Sequence, residues 1–245
     1  MDLAASLKKR ARHGQDSAAS PFHALTPFTM LDFPERTACI VWVAGCNMRC
    51  GYCQNPQIVL GKGSLGEAAV LAFLERRQGL LDGVVLSGGE ATTWPGLHAF
   101  ARRVAGMGFA LKLDTNGLRP DVIALLLAEG LIDRVALDYK APRHRFRGVT
   151  GTTAWDRFSS TLDLLGSQEK VPFEVRTTVH ADLLRRDDLL EIARDLVHRG
   201  YRGPWALQHA LAGPDRPTLG HLRINPTEVD IAWLAQRSPL DIVTR

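Results

Sequence analysis

The sequence predicts an α/β fold, a partial open (β/α)6 barrel in which parallel strands alternate with outer helices. Six short apolar runs, rich in β-branched residues, are each followed by polar loop residues and, in most cases, by a helical pattern. The runs are nearly continuous in apolar residues, as in parallel strands that are covered by helices. Six strands are too few for the closed eight-stranded barrel, so we expect the barrel to stay open.

The predicted elements follow in order along the chain. The strands are residues 37–43, 83–86, 109–113, 134–137, 173–178 and 204–207. The helices are residues 65–77, 95–107, 120–129, 154–165, 187–199 and 225–236. Pro95 and Pro120 suit the first turn of a helix, and glycines suit the helix exits at Gly108, Gly130 and Gly200.

Composition limits the classes of function. The chain has 245 residues, of which 45% are hydrophobic and 23% are charged, an ordinary globular composition. A net charge of +4 with scattered arginines indicates solvated surface charge rather than a nucleic-acid site. No apolar run reaches the roughly 18 residues of a membrane span, and we see no export signal, so we expect a cytoplasmic protein without membrane or nucleic-acid partners. Residues 1–20 are expected to form a flexible tail and residues 21–245 a single domain.

Three of the four cysteines lie in one short segment. Cys46, Cys50 and Cys53 follow the first predicted strand with C-x3-C-x2-C spacing, and Tyr52 directly precedes the last thiol. Three clustered thiolates are one short of the four-cysteine set that usually holds an iron–sulfur cluster, so one iron would stay open to another ligand. A 4Fe–4S cluster is the favoured interpretation, and a zinc site is the alternative. Cys39 lies within the strand and is interpreted as a core residue.

Polar groups follow the other predicted strands in the same way. They are Ser87-Gly88-Gly89-Glu90, Asp114-Thr115-Asn116-Gly117, Asp138-Tyr139-Lys140, Thr178-Val179-His180 and Gln208-His209. Each group alone would be explained as a turn, a local ion pair or a surface residue. Because active sites of parallel α/β barrels lie at the C-terminal ends of the strands, we expect these groups and the cysteines to meet at one rim.

The cysteine spacing, followed by a glycine pair after the second strand, resembles the radical S-adenosylmethionine (SAM) superfamily. The resemblance implies that Cys46, Cys50 and Cys53 are the catalytic cluster ligands and hold a 4Fe–4S cluster whose fourth iron binds SAM. It implies that reductive cleavage of SAM gives a 5′-deoxyadenosyl radical, which abstracts a hydrogen atom from the substrate.

The same resemblance implies contacts with SAM near the cluster. Tyr52 and the glycine-rich segment would contact SAM, since Gly88 and Gly89 allow its close approach to the backbone. Glu90 would accept hydrogen bonds from the ammonium group of SAM. The family usually has proline after this glutamate, where this chain has Ala91.

The segments that end the third and fourth strands resemble one branch of the family, the glycyl-radical-enzyme activases such as the pyruvate formate-lyase activating enzyme. The further SAM-contacting residues implied by this branch are Asp114, Asn116, Asp138, Lys140, Arg176 and His209. The register at His209, after the sixth strand, can differ by one residue. His180, after the fifth strand, is a rival for the histidine position. Asp114, Thr115 and Asp138 are also implied to form a monovalent-cation site, for which hard oxygen ligands are suited.

The N-terminal side adds a resemblance to the anaerobic ribonucleoside-triphosphate reductase activating proteins. Residues 28–36, residues 39–42 and Cys53-Gln54-Asn55-Pro56 carry it. It implies a glycyl radical enzyme as the protein substrate and a flavodoxin- or ferredoxin-type electron donor. Only four cysteines are present, so a single cluster is expected. The alternatives are a radical SAM enzyme that acts on a small molecule and a non-catalytic iron–sulfur or zinc protein.

Overall fold

The computed structural model describes residues 20–210, 213, 218–223 and 230–244. Within this part of the chain, eight strands form one sheet, ordered as they occur in the sequence. The strands are β1 (Phe22–Thr29), β2 (Ala38–Val43), β3 (Gly83–Gly88), β4 (Ala110–Thr115), β5 (Arg134–Asp138), β6 (Phe173–Val179), β7 (Trp205–His209) and β8 (Ile242–Thr244). The helices are α1 (Pro56–Leu60), α2 (Glu67–Glu75), α3 (Leu97–Gly106), α4 (Pro120–Ala128), α5 (Arg143–Thr150), α6 (Trp155–Gly166), α7 (Arg186–His198) and α8 (Ile231–Ala235).

The sheet is parallel from β2 to β8, and β1 pairs antiparallel with β2. The six predicted strands are β2 to β7, so the α/β fold with an open sheet of parallel strands is confirmed. The two edge strands were not predicted. β1 contains Pro27 at a register irregularity, a position that edge strands tolerate and that hides the strand pattern. β8 has three residues, too few to show the alternation of apolar and polar residues that identifies a strand in a sequence.

The predicted helices that lie fully in the described part are present with ends shifted by about one or two residues, as is usual for sequence-based boundaries. Two short helices, α1 and α5, were not predicted; α5 is rich in arginine and is anchored by the buried Phe146 and Val149. Of the predicted last helix, the structure describes α8, whereas residues 224–229 lie outside the described residues. The predicted tail also lies outside them, apart from Ser20. No helix in the described ranges is long and apolar enough to cross a membrane.

The two faces of the sheet have different chemistry. One face packs against the helices in a single apolar cluster. Its members from the strands include Val41, Leu86, Leu113, Leu137, Val175 and Leu207. Side chains alternate along a strand, so the neighbours of these residues lie on the opposite face, which we call the inner face. At the C-terminal ends of β4, β5 and β6 the inner face carries Asp114, Asp138 and Arg176.

Candidate active site

One cavity lies at the C-terminal ends of β2 to β6. It measures about 570 Å³, including the part open to solvent, within the roughly 300–1,000 Å³ of small-molecule sites. Its lining residues are Cys46, Met48, Cys50, Tyr52, Cys53, Val59, Ser87, Gly88, Gly89, Glu90, Asp114, Thr115, Asn116, Asp138, Lys140 and Arg176. The predicted site residues therefore meet at one rim, with the exception of His209.

The cysteine-bearing loop between β2 and α1 is held by backbone hydrogen bonds on two sides. On one side, Arg49 N donates to Thr150 O at 2.8 Å and Gly51 N donates to Val149 O at 3.3 Å, which ties the loop to the end of α5. The Arg49 guanidinium also donates to the carbonyl of Cys46 at 2.7 Å. These contacts fix the loop backbone before any ligand binds.

The second side of the loop is covered by residues 218–223. Leu219 N donates to Cys53 O at 2.9 Å and Gly220 N donates to Gly51 O at 2.8 Å. A Cβ on Gly220 would lie 2.9 Å from Gly51 Cα, so only glycine permits this approach. The cysteine loop is thus enclosed between α5 and a segment far along the chain.

The three thiols are free and partly or fully buried. Burial raises the pKa of Cys46 to about 11 and raises that of Cys50. In the absence of metal these two side chains are therefore protonated at neutral pH, and metal binding must release their protons. Cys39 is buried on β2 in the helix-facing apolar cluster and does not line the cavity, which confirms its interpretation as a core residue.

A single zinc ion and a 4Fe–4S cluster place different demands on the three thiols. Among the described residues, no three histidine, cysteine, aspartate or glutamate side chains converge on a point that could hold one metal ion. A tetrahedral zinc site requires such convergence. A 4Fe–4S cluster does not, because each thiolate binds its own iron.

The glycine pair after β3 brings two loops into contact. Gly88 has a φ of 111°, and a Cβ there would lie 2.7 Å from Val43 O. Gly89 packs directly on the Gly45 carbonyl, and Glu90 N donates to that carbonyl at 2.8 Å. The glycines thus fasten the β3 loop to the cysteine loop, and they also leave backbone exposed at the cavity wall.

The carboxylate of Glu90 orders the loops around it. Its Oε1 accepts hydrogen bonds from Thr92 N at 3.1 Å, Thr92 Oγ1 at 2.5 Å and Thr115 Oγ1 at 2.8 Å. Its Oε2 accepts one from Asn116 N at 2.7 Å, which leaves Oε2 with spare acceptor capacity. Burial raises the pKa of Glu90, and these donors act in the opposite direction. That Glu90 also binds an ammonium group stays a prediction.

Asn116 connects β4 to the cysteine loop. Its Nδ2 donates to Asn47 Oδ1 at 2.7 Å and lies 3.8 Å from Cys46 Sγ. Its Oδ1 accepts from Leu118 N at 3.1 Å. An amide donor directed at a sulfur suits a thiolate that carries negative charge once metal is bound.

The inner face below the cavity carries a continuous row of ion pairs. Lys112 Nζ lies 2.6 Å from Asp114 Oδ1, and Arg176 Nη1 lies 3.2 Å from Asp114 Oδ2. Arg176 Nε lies 3.0 Å from Asp138 Oδ1, and Lys140 Nζ lies 3.0 Å from Asp138 Oδ2. Every oxygen of the two aspartates therefore has a cationic partner.

Asp114, Asp138, Lys140 and Arg176 are ionised at neutral pH. Burial would raise the pKa values of Asp114 and Asp138, but Arg176 and the adjacent lysines outweigh it and hold both pKa values below the usual range. Burial would likewise lower the pKa values of Lys140 and Arg176, but the carboxylates raise both. The row thus supplies fixed charges rather than groups that exchange protons.

Tyr52 contributes a buried hydroxyl to the cavity lining. Its side chain is buried, and its hydroxyl interacts with the Cys50 thiol but has no partner of good hydrogen-bond geometry among the described residues. Lys140 Nζ lies 5.6 Å from the centre of its ring. A buried donor that lacks a well-formed hydrogen bond is costly, and a polar ligand in the cavity would satisfy it. The residues present therefore fit a polar cofactor.

The two histidine candidates do not enter the cavity. His209 is exposed at the end of β7, and strand alternation places it on the face opposite Gln208, which pairs in register with Thr178 on β6. His180 is buried, with Nδ1 accepting from Asp182 N at 3.2 Å and Nε2 bonded to Arg223 O at 3.2 Å. Its role here is to hold residues 218–223 in place. The structure therefore does not place His209 in the cavity. The reason is that Gln208 and His209 are adjacent on β7, so their side chains point to opposite faces of the sheet.

Sequence reasoning missed Lys112 and Asn47. Lys112 was passed over because it lies inside an apolar strand run, although its position two residues before Asp114 placed both side chains on one face. Asn47 sits between the cysteines and makes its bond to Asn116 across 69 positions, for which the sequence carries no signal.

Comparisons with known proteins give the family. The sequence model of the radical SAM superfamily matches residues 40–180. A protein of Methanocaldococcus jannaschii, provisionally named a glycyl-radical enzyme activating enzyme, is 29% identical over 176 residues, which cover 69% of this chain and 72% of that protein. An AdoMet-dependent heme synthase of Methanosarcina barkeri is 29% identical over 168 residues, which cover 64% of this chain and 47% of the relative.

Solved structures share the fold at low sequence identity. Streptococcus suis SuiB bound to S-adenosylmethionine superposes with a TM-score of 0.64 at 11% identity, over 82% of this chain and 48% of SuiB. The chain thus spans about half the length of SuiB. QueE from Escherichia coli superposes with a TM-score of 0.53 at 14% identity, over 100% of this chain and 98% of QueE. Because the family's sequence model covers more than half of its residues, the chain belongs to the radical SAM superfamily, whose members use a 4Fe–4S cluster and SAM.

Proposed function

We propose that this radical SAM enzyme is an activase that generates a glycyl radical on a large partner enzyme, with anaerobic ribonucleotide reductase as the first candidate. The observation that carries the proposal is the meeting of the cysteine loop, the glycine pair and the Asp114–Arg176–Asp138 row in one cavity. The similarity to the Methanocaldococcus jannaschii protein over 69% of the chain supports the activase branch.

The cysteine loop would hold the cluster. A reduced 4Fe–4S cluster and SAM, when bound, supply a 5′-deoxyadenosyl radical that abstracts a hydrogen atom. Cys46, Cys50 and Cys53 would each bind one iron, which leaves the fourth iron for SAM. The clamped loop backbone keeps the three thiols in place, and the Asn116 amide near Cys46 Sγ would stabilise its thiolate.

The rest of the cavity wall would hold SAM. SAM carries one carboxylate, and Lys140 and Arg176 have donors beyond those that they use on Asp138. SAM also carries an ammonium group, for which Glu90 Oε2 and the backbone at the glycine pair offer acceptors. The Tyr52 hydroxyl, which has no partner of good hydrogen-bond geometry among the described residues, would supply one more donor.

A backbone glycine is a chemically suitable target. Its Cα radical is stabilised by the two flanking amide groups, and no side chain blocks the approach to the hydrogen atom. The strands in the described part of the chain do not close into a ring, and a loop of a protein substrate needs such an opening to reach the cavity. A flavodoxin- or ferredoxin-type protein would supply the electron.

A second candidate function is radical chemistry on a small molecule. The relative named AdoMet-dependent heme synthase, which matches 64% of this chain, favours it. The two functions share the cluster and SAM, so they differ only in what occupies the space beyond SAM.

The test combines the anaerobically reconstituted protein with SAM, a reductant and anaerobic ribonucleotide reductase. We expect an electron paramagnetic resonance signal of a glycyl radical, and we expect none when the target glycine of the partner is replaced by alanine. Cys50→Ala should abolish both SAM cleavage and the signal. Cys39→Ala is the matched control, because this thiol lies in the core outside the cavity and both activities should remain.

Two outcomes contradict different parts of the proposal. SAM cleavage without a glycyl signal would reject this partner, and failure with other glycyl radical enzymes as well would favour the small-molecule function. An iron-loaded protein that does not cleave SAM would contradict the placement of cluster and SAM in this cavity.

A further inference from the structure

Lys112 is the most deeply buried charged group of the inner face. It lies on β4, its side chain is 2% exposed, and its ammonium is 2.6 Å from Asp114 Oδ1. It does not line the cavity, whereas Asp114 does. Lys112 therefore affects the cavity indirectly. It contacts the Asp114 carboxylate, and a ligand in the cavity can reach that carboxylate.

The neighbours of this ion pair are polar or charged. Asp114 Oδ2 accepts from Ser87 Oγ at 3.1 Å and from Arg176 Nη1 at 3.2 Å. Glu174 is buried two residues before Arg176 on β6 and acts electrostatically on it. Arg134 is the register partner of Lys112 on β5. A carboxylate this deep must be neutralised by cations, and the protein provides them from its own strands.

The residues do not fit the monovalent-cation site that the activase resemblance implied at Asp114, Thr115 and Asp138. Each of the four carboxylate oxygens already contacts Lys112, Arg176 or Lys140, so an added cation would lie directly against these like-charged side chains and be repelled by them. Thr115 Oγ1 is engaged as well, since it donates to Glu90 and accepts from Gly117 N. An ammonium tethered to the same strand competes at a high effective concentration with any ion from solution.

We propose that the Lys112 ammonium takes the place of a monovalent cation beneath the SAM pocket, so that the protein binds SAM without requiring Na⁺ or K⁺. The inference rests on the proposed binding of SAM in this cavity. Lys112 is a positioning residue: it neutralises Asp114 and holds that carboxylate in the orientation in which it borders the pocket.

The test compares wild type with two truncations that differ in the space they leave. Lys112→Ala removes the charge and leaves room for an ion beside Asp114, whereas Lys112→Met removes the charge but fills the space. Lys112→Arg keeps the charge, and Lys170→Ala removes an exposed lysine as the matched control. SAM affinity of the reconstituted protein is measured by calorimetry in chloride salts of Na⁺, K⁺ and tetramethylammonium at equal ionic strength.

We expect wild type, Lys112→Arg and Lys170→Ala to bind SAM equally well in all three salts. Lys112→Ala should bind SAM roughly tenfold more weakly in tetramethylammonium and recover in Na⁺ or K⁺. Lys112→Met should lose affinity without recovery in any salt. A wild type that binds SAM only with Na⁺ or K⁺ would overturn the inference and leave the proposed function intact.

A second measurement needs no bound SAM. The Tm of wild type should be the same in the three salts, and that of Lys112→Ala should rise with Na⁺ concentration over tetramethylammonium, as linkage requires when an ion binds the folded state. The ²³Na resonance should broaden with Lys112→Ala and stay narrow with wild type. Sodium-specific broadening with wild type would overturn the inference even in a protein that does not bind SAM.

Discussion

Glu90 is a single carboxylate that joins three parts of the site. Its side chain receives donors from the 3₁₀ turn after β3 and from the end of β4, while its own backbone N–H reaches the cysteine loop at Gly45. A carboxylate is suited to this position because it only accepts, and every group directed at it donates. Glutamine cannot reproduce the pattern, since one side of its amide is itself a donor.

We therefore predict that Glu90→Gln destabilises the protein. The amide nitrogen would face a backbone or hydroxyl donor and leave it unpaired, which costs about 1–3 kcal/mol of unfolding free energy. Urea unfolding followed by circular dichroism measures the difference. Glu75→Gln, on an exposed glutamate of α2, is the control and should stay within about 0.5 kcal/mol of wild type. Equal stability of the two variants would show that Glu90 does not organise these loops.

Substitution of His209 and of Lys140 by alanine should affect SAM affinity differently. His209 is exposed and outside the cavity, so His209→Ala should leave SAM affinity unchanged. Lys140→Ala removes a cation from the cavity wall and leaves Asp138 with Arg176 alone, so SAM affinity should fall by roughly tenfold or more. Calorimetric titration of SAM into both reconstituted variants tests whether His209 lies outside the cavity, as the structure shows, or contacts SAM, as the sequence resemblance implied. A large loss with His209→Ala would favour the latter.

Among the secondary-structure elements, α5 and residues 218–223 enclose the cysteine loop. Residues 218–223 are fastened at Arg223, whose backbone N and guanidinium both bond to the Asp182 carboxylate. His180 completes this attachment through the Arg223 carbonyl. A loop that must present three thiols in a fixed arrangement benefits from such bracing, because loops without packing open at low free energy.

Gly220→Ala should weaken this enclosure. The new Cβ would lie 2.9 Å from Gly51 Cα, so the segment must lift and its two hydrogen bonds to the loop must lengthen. Loss of about 1 kcal/mol for each bond raises opening roughly tenfold or more. Hydrogen exchange of peptides covering residues 50–53 and 218–223 should accelerate, and the reconstituted cluster should bleach faster in air.

The control for this change is Gly213→Ala, in the same part of the chain. A Cβ at Gly213 would meet no atom within 4 Å. Its exchange and bleaching rates should match those of wild type. If Gly220→Ala matches them too, residues 218–223 do not brace the loop.

For the whole molecule, the inner face combines apolar packing with buried ionic groups. Toward the N-terminal ends of the strands it packs Ile40, Val85 and Ala110 against Phe33. Toward the C-terminal ends it carries the ionic row that begins at Lys112. Apolar packing stabilises the sheet at one end, and at the other end the buried charges are available to a ligand. Because the row is buried and ionised, part of the global stability must depend on pH.

The sign of this dependence follows from the carboxylates. The pKa of Asp114 is lowered in the folded state, so its contribution is present above the ordinary aspartate pKa of about 3.9 and is lost as pH falls through the lower folded value. Lys112 is one of the cations that lower it. The stability difference between wild type and Lys112→Met should therefore be largest at neutral pH and shrink below about pH 4.

Urea unfolding across this range tests the prediction. Lys170→Met provides the control, because an exposed lysine should give a small difference that does not change with pH. A difference between wild type and Lys112→Met that is equally large in acid would mean that Lys112 contributes by packing rather than by its charge on Asp114.

The sequence by itself determined the six central parallel strands, most of the helices between them and the rim on which the chemistry lies. Strand and helix periods are local patterns, and the C-terminal ends of parallel strands necessarily share one edge. The cysteine spacing, the glycine pair after β3 and the Asp138-x-Lys140 segment were therefore sufficient to predict most of the cavity lining. They were also sufficient to indicate the family.

Tertiary structure alone decided which of these side chains contact one another and which lie outside the cavity. That Arg176 joins Asp114 to Asp138, and that residues 218–223 cover the cysteine loop, depends on pairing between strands and segments far apart in the chain. The register between β6 and β7, which sets the position of His209 outside the cavity, depends on the same long-range pairing. Side-chain direction reverses with each residue of a strand, so a local pattern cannot specify such contacts until the register between distant segments is set.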